Sequence, residues 1–90
     1  MPKEQKQVEA FILIETKAGK TLDVAGRLKK AAGVREIYVV TGPYDLIVHA
    51  VAEDLKALAG TVVDRIGASP GVERTLTCIV VGNSANPIPE

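Results

Sequence analysis

Ninety residues, 47% hydrophobic and 24% charged, make a single globular domain with a modest core. Eleven basic and eleven acidic side chains cancel, so no basic stripe is available to hold a phosphate backbone, and direct nucleic-acid binding is not expected. One cysteine excludes an internal disulfide, one histidine beside it offers no metal-ligating spacing, and no stretch approaches the roughly 18 apolar residues of a membrane span.

Residues 1–7 read as a tail, with Lys3, Glu4 and Lys6 solvated and no signal-peptide core, which makes the cytoplasm the expected compartment. Residues 8–81 form the domain. Its first strand is expected over Val8–Thr16, rich in apolar and β-branched side chains. A helix follows over residues 20–30, with Thr21, Val24, Ala25 and Leu28 on one side. Residues 34–41 and 45–52 predict two strands joined by a tight turn. Asp54 is placed to cap a second helix, where Leu55, Leu58, Ala59, Val62 and Ile66 give an apolar stripe. Gly67 or the Ala-Ser-Pro-Gly turn after it ends that helix. Residues 72–81 predict the last strand, in which Cys78 reads as a small buried hydrophobe. Residues 82–90 form a second tail, either loose or clasped on a neighbour.

Shifted by 38 positions, the chain partly overlays itself: Val24, Arg27, Leu28, Gly33 and Val34 fall on Val62, Arg65, Ile66, Gly71 and Val72. The same shift lays Phe11, Ile12, Leu13 and Ile14 on His49, Ala50, Val51 and Ala52. Two strand-helix-strand units predict an α+β, ferredoxin-like βαββαβ sandwich. Right-handed crossovers put both helices on one face of a four-stranded antiparallel sheet, in the order 4-1-3-2. Two helices cover one face, yet the runs Ile12-Leu13-Ile14, Leu46-Ile47-Val48 and Ile79-Val80-Val81 are apolar on both. A second copy packed face to face, in the manner of a dimeric αβ-barrel, is the expected cover. Burying ~500 Å² of apolar area at ~25 cal/mol/Å² is worth about 12 kcal/mol before association costs.

Between the second and third strands stand Thr41, Gly42, Pro43, Tyr44 and Asp45. A Gly-Pro pair suits a tight turn, whereas an aromatic ring and a carboxylate directly afterwards are not demanded by turn chemistry. With its flanking strands this passage resembles the Gly-x-Tyr-Asp hairpin of the amino-acid-sensing (RAM) domain of Lrp/AsnC-type transcriptional regulators, over about residues 8–81. That resemblance implies effector binding in a cleft between dimers, near the turn, with assembly to higher oligomers that include octameric rings. It adds Thr75 and Thr77 on the last strand, which the 38-residue repeat aligns with Ile37 and Val39, to Thr41, Gly42, Pro43, Tyr44 and Asp45 as the ligand-binding candidates. Gly42 offers a backbone N–H to a carboxylate, and Asp45 reads either as a turn stabiliser or as the acceptor of an α-ammonium. Tyr44 is expected exposed at the loop.

Only seven residues precede the first strand, too few for a helix-turn-helix, so the expectation is a stand-alone sensing module. It would act without its own DNA-binding domain, by co-assembly with full-length Lrp/AsnC-type regulators, and needs no cofactor. Two other readings stay open. In a small monooxygenase- or isomerase-like barrel enzyme, His49, Tyr44 and Asp45 would act, although His49 suits an interior position with a satisfied ring better than a general base. The other is a purely architectural, ACT-like regulatory subunit.

Overall fold

The computed structural model describes residues 7–88; Lys3, Glu4 and Lys6 of the N-terminal tail lie outside them. Strand β1 (Val8–Thr16) leads to helix α1 (Thr21–Leu28), then β2 (Val34–Val39) and β3 (Leu46–Ala52). A second helix, α2, occupies residues 55–67, and β4 (Val72–Ile79) closes the sheet. All pairings are antiparallel and the order is β2-β3-β1-β4, the expected 4-1-3-2 arrangement read from the other edge.

Register explains which side is covered. Ile12 lies between Val48 and Thr77, and Ile14 between Leu46 and Thr75, so these positions share one face. Ala10, Ile12, Ile14, Leu46, Val48 and Ala50 are buried there beneath Val24 and Leu28 of α1 and Leu58, Val62 and Ile66 of α2. Burying a branched aliphatic side chain of this kind is worth about 1.5–3 kcal/mol, which makes this layer the source of the fold's stability.

Helix α2 starts as expected, with Asp54 Oδ1 accepting the Ala57 N–H at 2.8 Å. It is not a uniform α-helix: Leu58–Val63 is a wide π turn between Leu55–Ala57 and Asp64–Gly67. Its buried positions, Leu58, Val62 and Ile66, are each four residues apart. On a 3.6-residue helix that spacing drifts by about 40° per step, and a wider turn cancels the drift. Leu55 and Ala59, expected on the stripe, are exposed instead.

The internal repeat is real in the helices and in β2 and β4 but out of step in β1 and β3. Gly33 and Gly71 have φ of +88° and +91°, and a Cβ would stand 2.7 Å from Val62 Cγ2 in one case and 2.8 Å from Val24 Cγ2 in the other. Each glycine thus lets the start of β2 or β4 press against the opposite helix. Their carbonyls accept from Val51 N–H and Lys17 N–H respectively, so equivalent positions are 38 apart in β2 and β4 but 34 apart in β1 and β3. The four extra residues fall between β3 and the repeated part of α2, where the helix gains its first turn. Phe11 and His49 are therefore not repeat equivalents. They are direct cross-strand partners.

Candidate functional site

The β2–β3 connection is held at its base by two backbone bonds, Val40 N–H to Asp45 O (3.0 Å) and Asp45 N–H to Ile14 O (2.9 Å). Gly42 has φ of +144°, a conformation that favours glycine, and a Cβ there would meet nothing within 4 Å, so the space at the tip is open. Thr41, Gly42 and Pro43 are exposed, and Tyr44 is half-buried rather than projecting as expected.

Asp45 turns inward. Its Oδ2 accepts the Thr16 N–H at 2.8 Å and the Thr16 hydroxyl at 3.1 Å. Thr16 has one hydroxyl proton and gives it to Asp45, so the 2.7 Å contact with Thr21 is donated by Thr21. A relay therefore runs from the first residue of α1, through the last residue of β1, to the base of the turn. Among the described residues Thr16 is the one buried polar residue, and the carboxylate satisfies it. Neither Thr16 nor Thr21 is among the ligand-binding candidates that the sequence offers. The available signal was parity: Ile12, Ile14 and Thr16 alternate onto one face, and a hydroxyl there requires a partner.

Thr75 and Thr77 do share a face, half-buried on the helix side of edge strand β4. Strand β1 separates them from β3, placing Thr75 about 10 Å, two strand spacings, from the start of β3. Within one chain the structure gathers Asp45 with Thr16 and Thr21, and it leaves the β4 threonines apart from the turn.

Among the described residues, no helix covers the other face of the sheet. Phe11, Leu13, Tyr38, Ile47, Leu76 and Cys78 lie there by register, with Phe11 38%, Leu76 48% and Tyr38 49% exposed. Cys78, expected to be buried, is exposed because its parity puts it opposite Phe11 on this face and not opposite the core. His49 is also on this side, outside the core. Its ring is satisfied, with Nε2 2.9 Å from Glu9 Oε1 and the imidazole stacked on Phe11 at 4.9 Å and 17°. Arg74 donates to Glu15 Oε1 through Nε (3.0 Å) and Nη2 (2.8 Å) at the other end of the face. Among the described residues, no group of three or more His, Cys, Asp or Glu side chains could hold a metal ion, and no helix is long and apolar enough to cross a membrane.

Comparison with known proteins decides the family. Residues 9–86 match the model of the Lrp/AsnC ligand binding domain. The chain belongs to this family. It is similar to the HTH-type transcriptional regulator FL11 of Pyrococcus abyssi, 44% identical over 72 residues, covering 80% of this chain and 47% of that regulator. The chain thus spans about half the length of the curated regulators it matches. Homocitrate synthase of Saccharolobus islandicus is 33% identical over 81 residues, which is 89% of this chain but 17% of the enzyme. Among solved structures, the hypothetical protein PHS023 of Pyrococcus horikoshii is 39% identical with a TM-score of 0.76, covering 86% of this chain and 93% of that one. The regulator NMB0573 of Neisseria meningitidis, solved as an L-Met complex, shares the fold at 23% identity and a TM-score of 0.74, covering 86% of this chain and 51% of that one. The four-stranded sheet with its two-helix layer is accordingly the Lrp/AsnC ligand-binding fold.

Proposed function

We propose that this chain is an effector-sensing and assembly module of Lrp/AsnC-type transcriptional regulation, which binds an amino acid or a related metabolite. The supporting observation is the uncovered apolar face. Phe11, Leu13, Tyr38, Ile47 and Leu76 supply a surface that a second copy buries, giving a two-fold dimer with a shared core. Dimers then meet around residues 41–45, and the crevice between them is the effector site.

In this reading Gly42 presents its N–H to the effector carboxylate, Thr41 adds a hydroxyl, and Pro43 and Tyr44 shape the wall. Asp45 Oδ2 is committed to Thr16, so the α-ammonium is taken by Oδ1, a charge-assisted bond worth about 1.5–3 kcal/mol. Thr75 and Thr77 reach the ligand from another protomer, since their own turn is two strands away. Through the Thr21–Thr16–Asp45 relay, an effector held at the turn pulls on the start of α1 and alters how dimers pack. The reading extends to action in the cytoplasm by co-assembly with full-length regulators, with the DNA contact made by those partners.

Isothermal titration against the twenty amino acids, alongside the oligomeric mass with and without them, tests the proposal. Heat for at least one amino acid, with a change in mass, is expected. A folded oligomer that gives no heat with any of them overturns it. The homocitrate synthase match favours a second reading, a regulatory subunit for an enzyme; an assembly indifferent to amino acids but captured by a metabolic enzyme selects that one.

A further inference from the structure

We infer that the groove between α1 and β2 is a separate binding site, for an amphiphilic monocarboxylate about as long as octanoate. The groove has a volume of about 530 Å³, within the range of small-molecule sites, and it shares no residue with the turn or with Thr75 and Thr77. Its lining is polarised. Helix α1 returns antiparallel to β2, so Lys29 and Arg35 stand at one end while Leu22 and Val39 stand at the other, with Ala25, Gly26 and Ile37 between. From Leu22 to Lys29 the helix advances about 10 Å, which sets the length of a molecule that satisfies both ends.

Charge specifies the head group. Two bases and one acid line the groove, Lys29, Arg35 and Glu36, which leaves it one net positive charge. Among the described residues, the contacts between basic and acidic side chains are Arg74–Glu15 and His49–Glu9, so neither Lys29 nor Arg35 is neutralised by a carboxylate there. A cation at the end of α1 is favoured by the helix dipole, which accounts for Lys29. It does not account for Arg35 on β2. A net positive pocket selects a monoanion over a zwitterion.

Gly26 supplies an independent observation. It lies inside α1, where glycine is unfavourable relative to alanine, and a Cβ there would meet nothing within 4 Å. Packing does not require a glycine, and any larger side chain projects into the groove. Meanwhile Leu22, 74% exposed, and Val39, 59% exposed, keep the apolar end open.

The test is isothermal titration of the intact protein with octanoate, 2-aminooctanoate and octanol. Octanoate is expected to bind at least tenfold more tightly than either of the others, with Lys29→Ala and Arg35→Ala each weakening it about tenfold. Gly26→Leu should abolish binding while leaving the melting temperature unchanged or higher. Absence of octanoate binding, equal affinity for octanol or the zwitterion, or binding that survives Gly26→Leu overturns the assignment. Failure here leaves the turn untouched, because amino-acid titrations read that site and groove variants do not alter it.

Discussion

One sheet carries a run of apolar side chains on each face, and the two runs differ greatly in what they touch. On the helix side Ile12, Ile14, Leu46 and Val48 are completely buried. One position away on those strands, Phe11, Leu13 and Ile47 look outward, as does Leu76 on β4, and among the described residues no layer covers them. Strands that are apolar on one face only would belong to a self-sufficient sandwich. These carry apolar side chains on both, so the first face provides folding and, under the proposed function, the second provides association.

The largest effect therefore belongs to the covered face. Ile12→Ala should cost about 2–5 kcal/mol, because a fully buried side chain is replaced by a cavity that the two-helix layer cannot close. Urea denaturation reads this as a lower midpoint. A loss under ~1 kcal/mol would mean that the covered face is not the principal core. Leu76→Glu makes the matching change on the open face. The protomer should keep its secondary structure by circular dichroism, while sedimentation shows the oligomer falling to monomers. An unaltered mass would break the comparison at its second half.

Asp45 sharpens the boundary between folding and binding. Asp45→Ala removes the acceptor for the Thr16 N–H and hydroxyl and should cost about 1–3 kcal/mol before any ligand is considered. Asp45→Asn keeps an oxygen for Thr16 but removes the charge, so it should retain much of the stability while amino-acid affinity drops. If both variants lost affinity only in proportion to stability, the carboxylate would be a strut and not a ligand group.

How much of this was readable beforehand depended on whether a feature is local. The bounds of β1, the cap at Asp54 and the sheet order follow from runs of apolar residues punctuated by glycine, proline and aspartate, which act over a few positions. The Thr16–Asp45 bonds join residues 29 apart in sequence and depend on cross-strand register, which the chain does not display. Cys78 shows the same thing in miniature: its apolar neighbours were evident, but the face it occupies follows from pairing with Phe11. The repeat misled in β1 and β3 for a related reason, since the four residues of the extra first turn of α2 shift these strands against helices whose glycine contacts kept step.

The smallest expected effect isolates the covering layer by itself. Asp54→Ala removes the bond to Ala57 N–H at the start of α2 and should lower stability by about 1 kcal/mol. Leu58, the nearest core residue of that helix, sits just past the cap and anchors the wide turn, so the loss should appear first as faster amide exchange over residues 55–58. The open face lies on the opposite side of the sheet from this helix, and the oligomeric mass should not change. A variant that weakened assembly as much as Leu76→Glu would show that the helix layer and the bare face act as one unit, and that dividing the sheet into a folding side and an associating side is wrong.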